Sequence, residues 1–211
     1  MDNMKLVEKE INRIEDKDIK EFTVYFLSKA SEEFWTSPSS SSGKYHPLED
    51  NNENGLIRHT IKAFYIAEDL CRFYNIKDTY IDICRSACLL HDIMKNGIKW
   101  EDKTDYTHGL LAFNYMNNDE YIYVMAENIY KTKIDPILLA VRWHMSRWCS
   151  PEDENMTMGL YMSSIGSNYI TNTIIEIVQL SDYMASRKNI SFLPDIELNQ
   201  NQIDSFMRDR T

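Results

Sequence analysis

The sequence predicts an all-α fold, and three observations carry that prediction. Apolar residues recur at three- and four-residue spacing along most of the chain. Glycine and proline are scarce, at 6 and 5 of 211 residues, which disfavours turn-rich β architectures. No segment shows the two-residue alternation of a half-buried strand. A chain of this length holds a substantial core as one domain.

Residues 3–15 and 18–34 are expected as helices, the second with Phe22, Tyr25, Phe26, Lys29 and Ala30 near helical spacing. Residues 1–34 thus form an N-terminal helical extension packed on a main domain over 35–190. That domain begins with a serine-rich loop from Trp35 to Gly43, flanked by Phe34, Tyr45 and His46-Pro47. The aromatic flanks argue for a loop folded back over the helical body, not a free linker. Residues 48–54 are polar and read as loop. Helices follow at 55–74, 79–93, 107–117, 120–131, 135–146 and 168–186. Asp135-Pro136 marks a helix start, with Asp as cap and Pro at the first helical position. Residues 147–167 read as irregular and 191–211 as a polar tail.

The formal net charge is −10. Such a field does not attract phosphate polymers, so a small phosphate ester is the more natural substrate than long RNA or DNA. Residues 1–30 alternate charged and apolar side chains, unlike a secretory signal, and no stretch reads as a transmembrane span. A cytoplasmic setting is expected, with Cys71, Cys84, Cys88 and Cys149 as free thiols. Cys84 and Cys88, close before His91, raise a zinc site as an alternative, but both lie on an apolar stripe and suit small core residues.

The chemistry is suggested by which helix faces carry titratable groups. His59 extends the stripe of Leu56, Ala63, Ile66 and Leu70. His91 extends Tyr80, Cys84, Ala87 and Cys88; His108 extends Leu111, Ala112 and Tyr115. His144 continues Ile137, Ala140 and Val141, and Asp182 continues Ile175 and Val178. Five helices each directing a polar ligand inward need something that satisfies all of them together. Imidazoles with carboxylates are the ligand set of zinc, manganese or iron.

The segment from Leu89 to Lys95, containing His91-Asp92, resembles the HD-domain metal-dependent phosphohydrolases. Gly55–Thr60 around His59, Thr107-His108-Gly109, Arg142-Trp143-His144 and Ser181-Asp182-Tyr183 stand in the expected order, so the resemblance covers about residues 35–190. It implies a single HD-domain helical bundle. It also implies that His59, His91, Asp92 and Asp182 hold one divalent transition metal, with His108, His144 and a bridging Asp92 holding a second. Manganese, iron or zinc is expected, with magnesium or nickel also compatible. The spacing and the Ser-Asp-Tyr ending are similar to HD hydrolases of diadenosine polyphosphates. The run from Phe34 to His46 is similar to a segment of HD-type 3′–5′ exoribonucleases, in which a Gly-Gly pair is expected where this chain has Asn54-Gly55.

The resemblance implies hydrolysis of a phosphate bond by a metal-activated water, with Asp92 and Asp182 at the catalytic centre. Lys95, one turn after Asp92, is placed to reach a substrate phosphate. Arg147 and Arg187 are further phosphate candidates, and His46 with Ser39 to Ser42 is expected to form a lid touching phosphate. Trp143, Trp148 and Tyr183 flank ligands and are candidates for base stacking. A nucleotide or dinucleotide is the expected substrate. A nuclease acting on single strands and a catalytically silent nucleotide-binding protein are the alternatives; oligomeric state is not legible.

Overall fold

A computed structural model describes residues 3–40, 43–99, 101, 103–145 and 169–188, and these are helical with no strand among them. A short 3-10 turn at Asn3–Leu6 leads into α1 (Glu8–Asn12), followed by α2 (Lys17–Ser28) and α3 (Glu32–Thr36). After the serine-rich loop come α4 (Gly55–Phe73), α5 (Thr79–Leu90), α6 (His108–Asn117), α7 (Glu120–Tyr123), α8 (Glu127–Ile129), α9 (Asp135–Trp143) and α10 (Tyr169–Ala185). The long α4 packs along both α10 and α5, and α9 packs against α6, α10 and α5. No described helix is long and apolar enough to cross a membrane.

Side-chain caps explain some departures from the expected boundaries. The helix expected over 18–34 is two helices, because Ser31 turns the chain and accepts the Phe34 N–H to start α3. Asp16 starts α2 by accepting from the Asp18 and Ile19 N–H groups. The helix expected over 120–131 is broken into α7 and α8, and a wide π-type turn at Tyr130–Ile134 joins α8 to α9. Asp135 does not cap: it is the first residue of α9, entered from backbone that is already helical. Pro136 has no N–H to give to the preceding turn, and a locally widened turn accommodates that loss.

The first thirty-five residues share one apolar cluster with the rest. Ile14, Ile19, Phe22, Phe26, Phe34 and Trp35 are buried together with Leu56, Phe64 and Ile83. A polar clasp adds to this. Glu68 of α4 receives Arg13 and Arg85, and Asp82 of α5 accepts the Glu15 and Asp16 N–H groups at 2.9 and 2.7 Å. Burial alone would raise the Glu68 pKa, but the two guanidinium groups outweigh it and hold the carboxyl below its ordinary 4.5. A depressed carboxyl contributes stability that is present above pH 4.5 and lost as pH falls through the folded value. Glu68→Gln is therefore expected to cost about 2 kcal/mol at neutral pH and to flatten the fall of Tm below pH 4.5. The figure is moderated because Arg13 is 38% exposed and screened. Melting curves from pH 3 to 7 check this; parallel curves for parent and variant would refute it.

The serine-rich loop is closed at its base by backbone bonds. Leu56 N–H donates to Ser37, Asn54 N–H to Thr36, and Ser39 N–H to Asp50. Gly55 lies so close to Asp50 that an added Cβ would sit 1.9 Å from the Asp50 carbonyl oxygen. Asn54 before it takes a left-handed backbone, φ 59°, which asparagine tolerates better than most residues. At the centre of the loop Lys62, 1% exposed, donates to both oxygens of the fully buried Asp50 at 3.0 and 2.9 Å, tying the loop to α4.

Candidate metal centre

Five segments deliver the six candidate ligand side chains to one place. His59 comes from the second turn of α4, His91 and Asp92 from just past the end of α5, and His108 from the first residue of α6. His144 comes from just past α9 and Asp182 from α10. Helical spacing predicts a helix running to residue 93 through His91 and Asp92, whereas α5 ends at Leu90. That early end solves a geometric problem, since adjacent helical residues point about 100° apart. In the turn past α5 the imidazole and the carboxylate approach within 3.4 Å.

Helix ends also orient the rings. Carbonyls of a last helical turn lack intrahelical partners. His91 Nδ1 donates to the Cys88 carbonyl at 2.7 Å, and His144 Nδ1 donates to the Val141 carbonyl at 2.7 Å. His108 Nδ1 donates to the Asp105 carbonyl at 2.6 Å. A carbonyl only accepts, so each Nδ1 carries the proton and each Nε2 presents a lone pair. His108 and His144 then face one another, Nε2 to Nε2, at 2.9 Å. His91 and His59 do so at 3.4 Å. Two lone pairs at such distances repel, and a cation between or beside them removes the conflict, so these donors fit a metal ion. His59 differs from the others, because its buried Nδ1 has no partner.

The carboxylates complete two groups. Asp182 Oδ1 lies 3.0 Å from His59 Nε2 and 3.7 Å from His91 Nε2. Asp92 turns its two oxygens to different histidines. Oδ2 lies 3.4 Å from His91 and 3.8 Å from His59, while Oδ1 lies 3.0 Å from His108 and 3.7 Å from His144. His59, His91 and Asp182, and likewise His91, Asp92 and His144, each bring one ligand atom within 4.8 Å of the others. Burial opposes positive charge at His91, but Asp92 and Asp182 outweigh it and push its pKa up to about 10; the same two carboxylates favour a cation at Nε2 in place of the second proton. Burial dominates at His144, which is lowered to about 4. Burial would raise Asp92, yet Lys95 and the surrounding imidazoles outweigh it and hold Asp92 well below the usual range.

The remaining expected residues divide sharply. Lys95, 8% exposed, donates to Asp92 Oδ2 at 2.5 Å and so stands in the site. His46 packs its ring edge-on to His59, centroids 5.0 Å apart. Burial, with His59 and Lys95 nearby, lowers its pKa to about 2, so it offers a hydrogen bond and no charge. Ser39 is fully buried and donates its hydroxyl to the Asp50 carbonyl at 2.9 Å; it fastens the loop and is sealed from any substrate. Trp143 is 4% exposed beneath the Arg142 guanidinium, which removes it as a stacking surface. Cys84 and Cys88 are buried with Cys71 in the core, and among the described residues no cysteine joins a metal-binding group. Arg147, Trp148, Cys149, Ser41 and Ser42 lie outside the described residues.

Two features escaped the sequence. Lys62 belongs to no motif, although its place three residues after His59, near the inward face of the helix, is a signal of a buried partner. Tyr45 showed no periodic signal at all; in the structure its ring lies 5.3 Å from the guanidinium carbon of Arg187. Comparison with protein families matched residues 56–184 to the HD domain, more than half of the chain. No curated protein and no solved structure gave a match.

Proposed function

The chain belongs to the HD-domain superfamily of metal-dependent phosphohydrolases, and on that premise we propose that it hydrolyses a phosphate ester or phosphoanhydride bond of a nucleotide or dinucleotide. The observation that carries the reading is the split of Asp92, one oxygen toward His91 and His59 and the other toward His108 and His144. A carboxylate so placed suits two ions side by side, His59, His91 and Asp182 holding one and His108 and His144 the other. Such ions, when bound, would polarise the phosphoryl group and lower the pKa of a water to supply a nucleophile near neutral pH.

The protein's own groups do the positioning. Asp182 is the most exposed of the six ligands, so substrate approaches over it. Lys95, held beside Asp92, has a flexible stem and three N–H donors to turn toward the substrate phosphate. Arg187 lies one turn past Asp182 and His46 across from it on the loop; these are proposed to contact phosphate, the first by charge and the second by a single hydrogen bond. The net charge of −10 favours a small substrate over a polymer.

Assay of nucleotides, dinucleotides and short single-stranded RNA with added Mn²⁺ tests the reading. Turnover of a mononucleotide or dinucleotide supports it. Turnover confined to oligomers would make the chain a nuclease, and tight nucleotide binding without turnover would make it a sensor; either result sinks the proposal.

The pairing of His108 with His144 gives a separate check. At Gly109 an added Cβ would lie 2.8 Å from the Arg142 carbonyl oxygen and 3.2 Å from that of Val141, which anchors His144. Gly109→Ala must push α6 away from α9. A cost of about 1–3 kcal/mol is expected, together with a fall in bound metal from two toward one per chain. Unchanged metal content would separate His108 and His144 from any metal role.

A further inference from the structure

The open side of the metal centre is at Asp182. Its side chain is 26% exposed, whereas those of His59, His91, Asp92, His108 and His144 are 3% exposed or less. Tyr183 follows Asp182 directly. Tyr45 directly precedes His46, whose ring lies against His59. Two tyrosines from distant parts of the chain thus each neighbour a residue of the site in sequence, and one arginine brings their rings together. Both are well exposed, at 52% for Tyr45 and 46% for Tyr183, and neither belongs to the apolar core.

One guanidinium reaches both rings. The guanidinium carbon of Arg187 is 4.4 Å from the centroid of the Tyr183 ring and 5.3 Å from that of Tyr45. Both distances fall within cation–π range. The hydrogen bonds that Arg187 makes, to the Tyr183 carbonyl and the Ser186 hydroxyl, stay within its own turn of chain. Among the described residues, moving the guanidinium aside breaks these local bonds and the two ring contacts. A delocalised guanidinium and a nucleobase are both planar and about equally thick, and every base offers a π-face to an aromatic ring. Arginine freed from the stack suits a phosphate, which its fork can engage through two parallel N–H bonds.

Resting on the phosphohydrolase reading above, we propose that Tyr45 and Tyr183 form a stacking subsite for the nucleobase of the substrate. Arg187 is the latch of that subsite: it yields its place on the rings to the base and turns to the phosphate. The subsite selects an aromatic group attached near the scissile phosphate and is tolerant of which base it is. It gives the loop carrying His46 a reason to reach across to the end of α10.

Binding tests this without depending on turnover. The probes are the 5′-methylenephosphonate of adenosine, in which carbon replaces the bridging oxygen, and the same ribose phosphonate lacking the base. Calorimetry on manganese-loaded protein is expected to show the base-bearing probe bound about tenfold or more tightly. Tyr45→Leu and Tyr183→Leu are each expected to remove most of that advantage, leaving the base-free probe and the metal content unchanged. Arg187→Ala is expected to weaken both probes. Equal affinity of the two probes, or an advantage untouched by both tyrosine substitutions, overturns the subsite. Nucleotide hydrolysis with no preference over ribose 5-phosphate overturns it also, while leaving the phosphohydrolase reading intact. Base-dependent binding without hydrolysis would keep the subsite and remove the enzyme.

Discussion

Asp92→Ala is expected to strip both metal positions at once and to lower turnover at least a thousandfold, about 4 kcal/mol in transition-state stabilisation. The size of the effect follows from the placement of its carboxylate. No other ligand faces all four histidines, since Asp182 Oδ1 approaches His59 and His91 while both Asp92 oxygens are divided between the pairs. The substitution also leaves the Lys95 ammonium, 8% exposed, beside uncompensated imidazoles. Protein purified without chelator should carry close to two transition-metal ions per chain, and the variant close to none. His144→Ala is the control, expected to retain about one. If Asp92→Ala kept both ions, the bridging assignment would fall, whatever the activity.

The second large effect is expected far from any ligand atom. Asp50→Ala should destabilise the protein by about 3–5 kcal/mol, because it strands the ammonium of Lys62 in a site 1% exposed. Glu49, 3.1 Å from Lys62, stays as a partial partner and places the cost toward the lower end of that range. The pair itself is not a large net stabiliser. Burial raises the Asp50 pKa in spite of the adjacent Lys62, showing that desolvation takes back much of the attraction. The double change Asp50→Leu with Lys62→Met should therefore recover most of the loss. Denaturant melts of the three variants decide the matter: a single variant as stable as the parent, or a double variant no better than the single, would refute it. Because Asp50 also ends the loop that carries His46, the single variant should bind metal normally when folded and turn substrate over more slowly.

Much of the candidate centre was legible in the sequence because five of its six residues continue an apolar stripe, while Asp92 entered only through the His-Asp pair of the resemblance. A polar group on a core-facing stripe demands a shared partner, and five such stripes leave little else than a metal. The ring orientations were not legible. They depend on where α5 and α9 end, at Leu90 and Trp143, and so on which last-turn carbonyls become available to His91 and His144. The missing glycine of the expected Gly-Gly pair is explained at backbone level: Asn54 takes the left-handed conformation that a glycine would supply, while Gly55 keeps the position where no Cβ fits. Ser39 was misread for a related reason. A serine in a serine-rich loop looks available, and only the fold shows its hydroxyl given to Asp50. Breaks at Ser31 and between α7 and α8 were hidden because residues around them keep helical spacing.

His59 and Asp182 meet at 3.0 Å although 123 residues separate them along the chain. A common ion held by both would act as a reversible cross-link closing a loop of that length. In the chain-entropy treatment of such closures the unfolded ensemble loses freedom worth on the order of 5 kcal/mol. Where thiols stay reduced, metal availability could take the place of a disulfide in setting how long the folded chain survives.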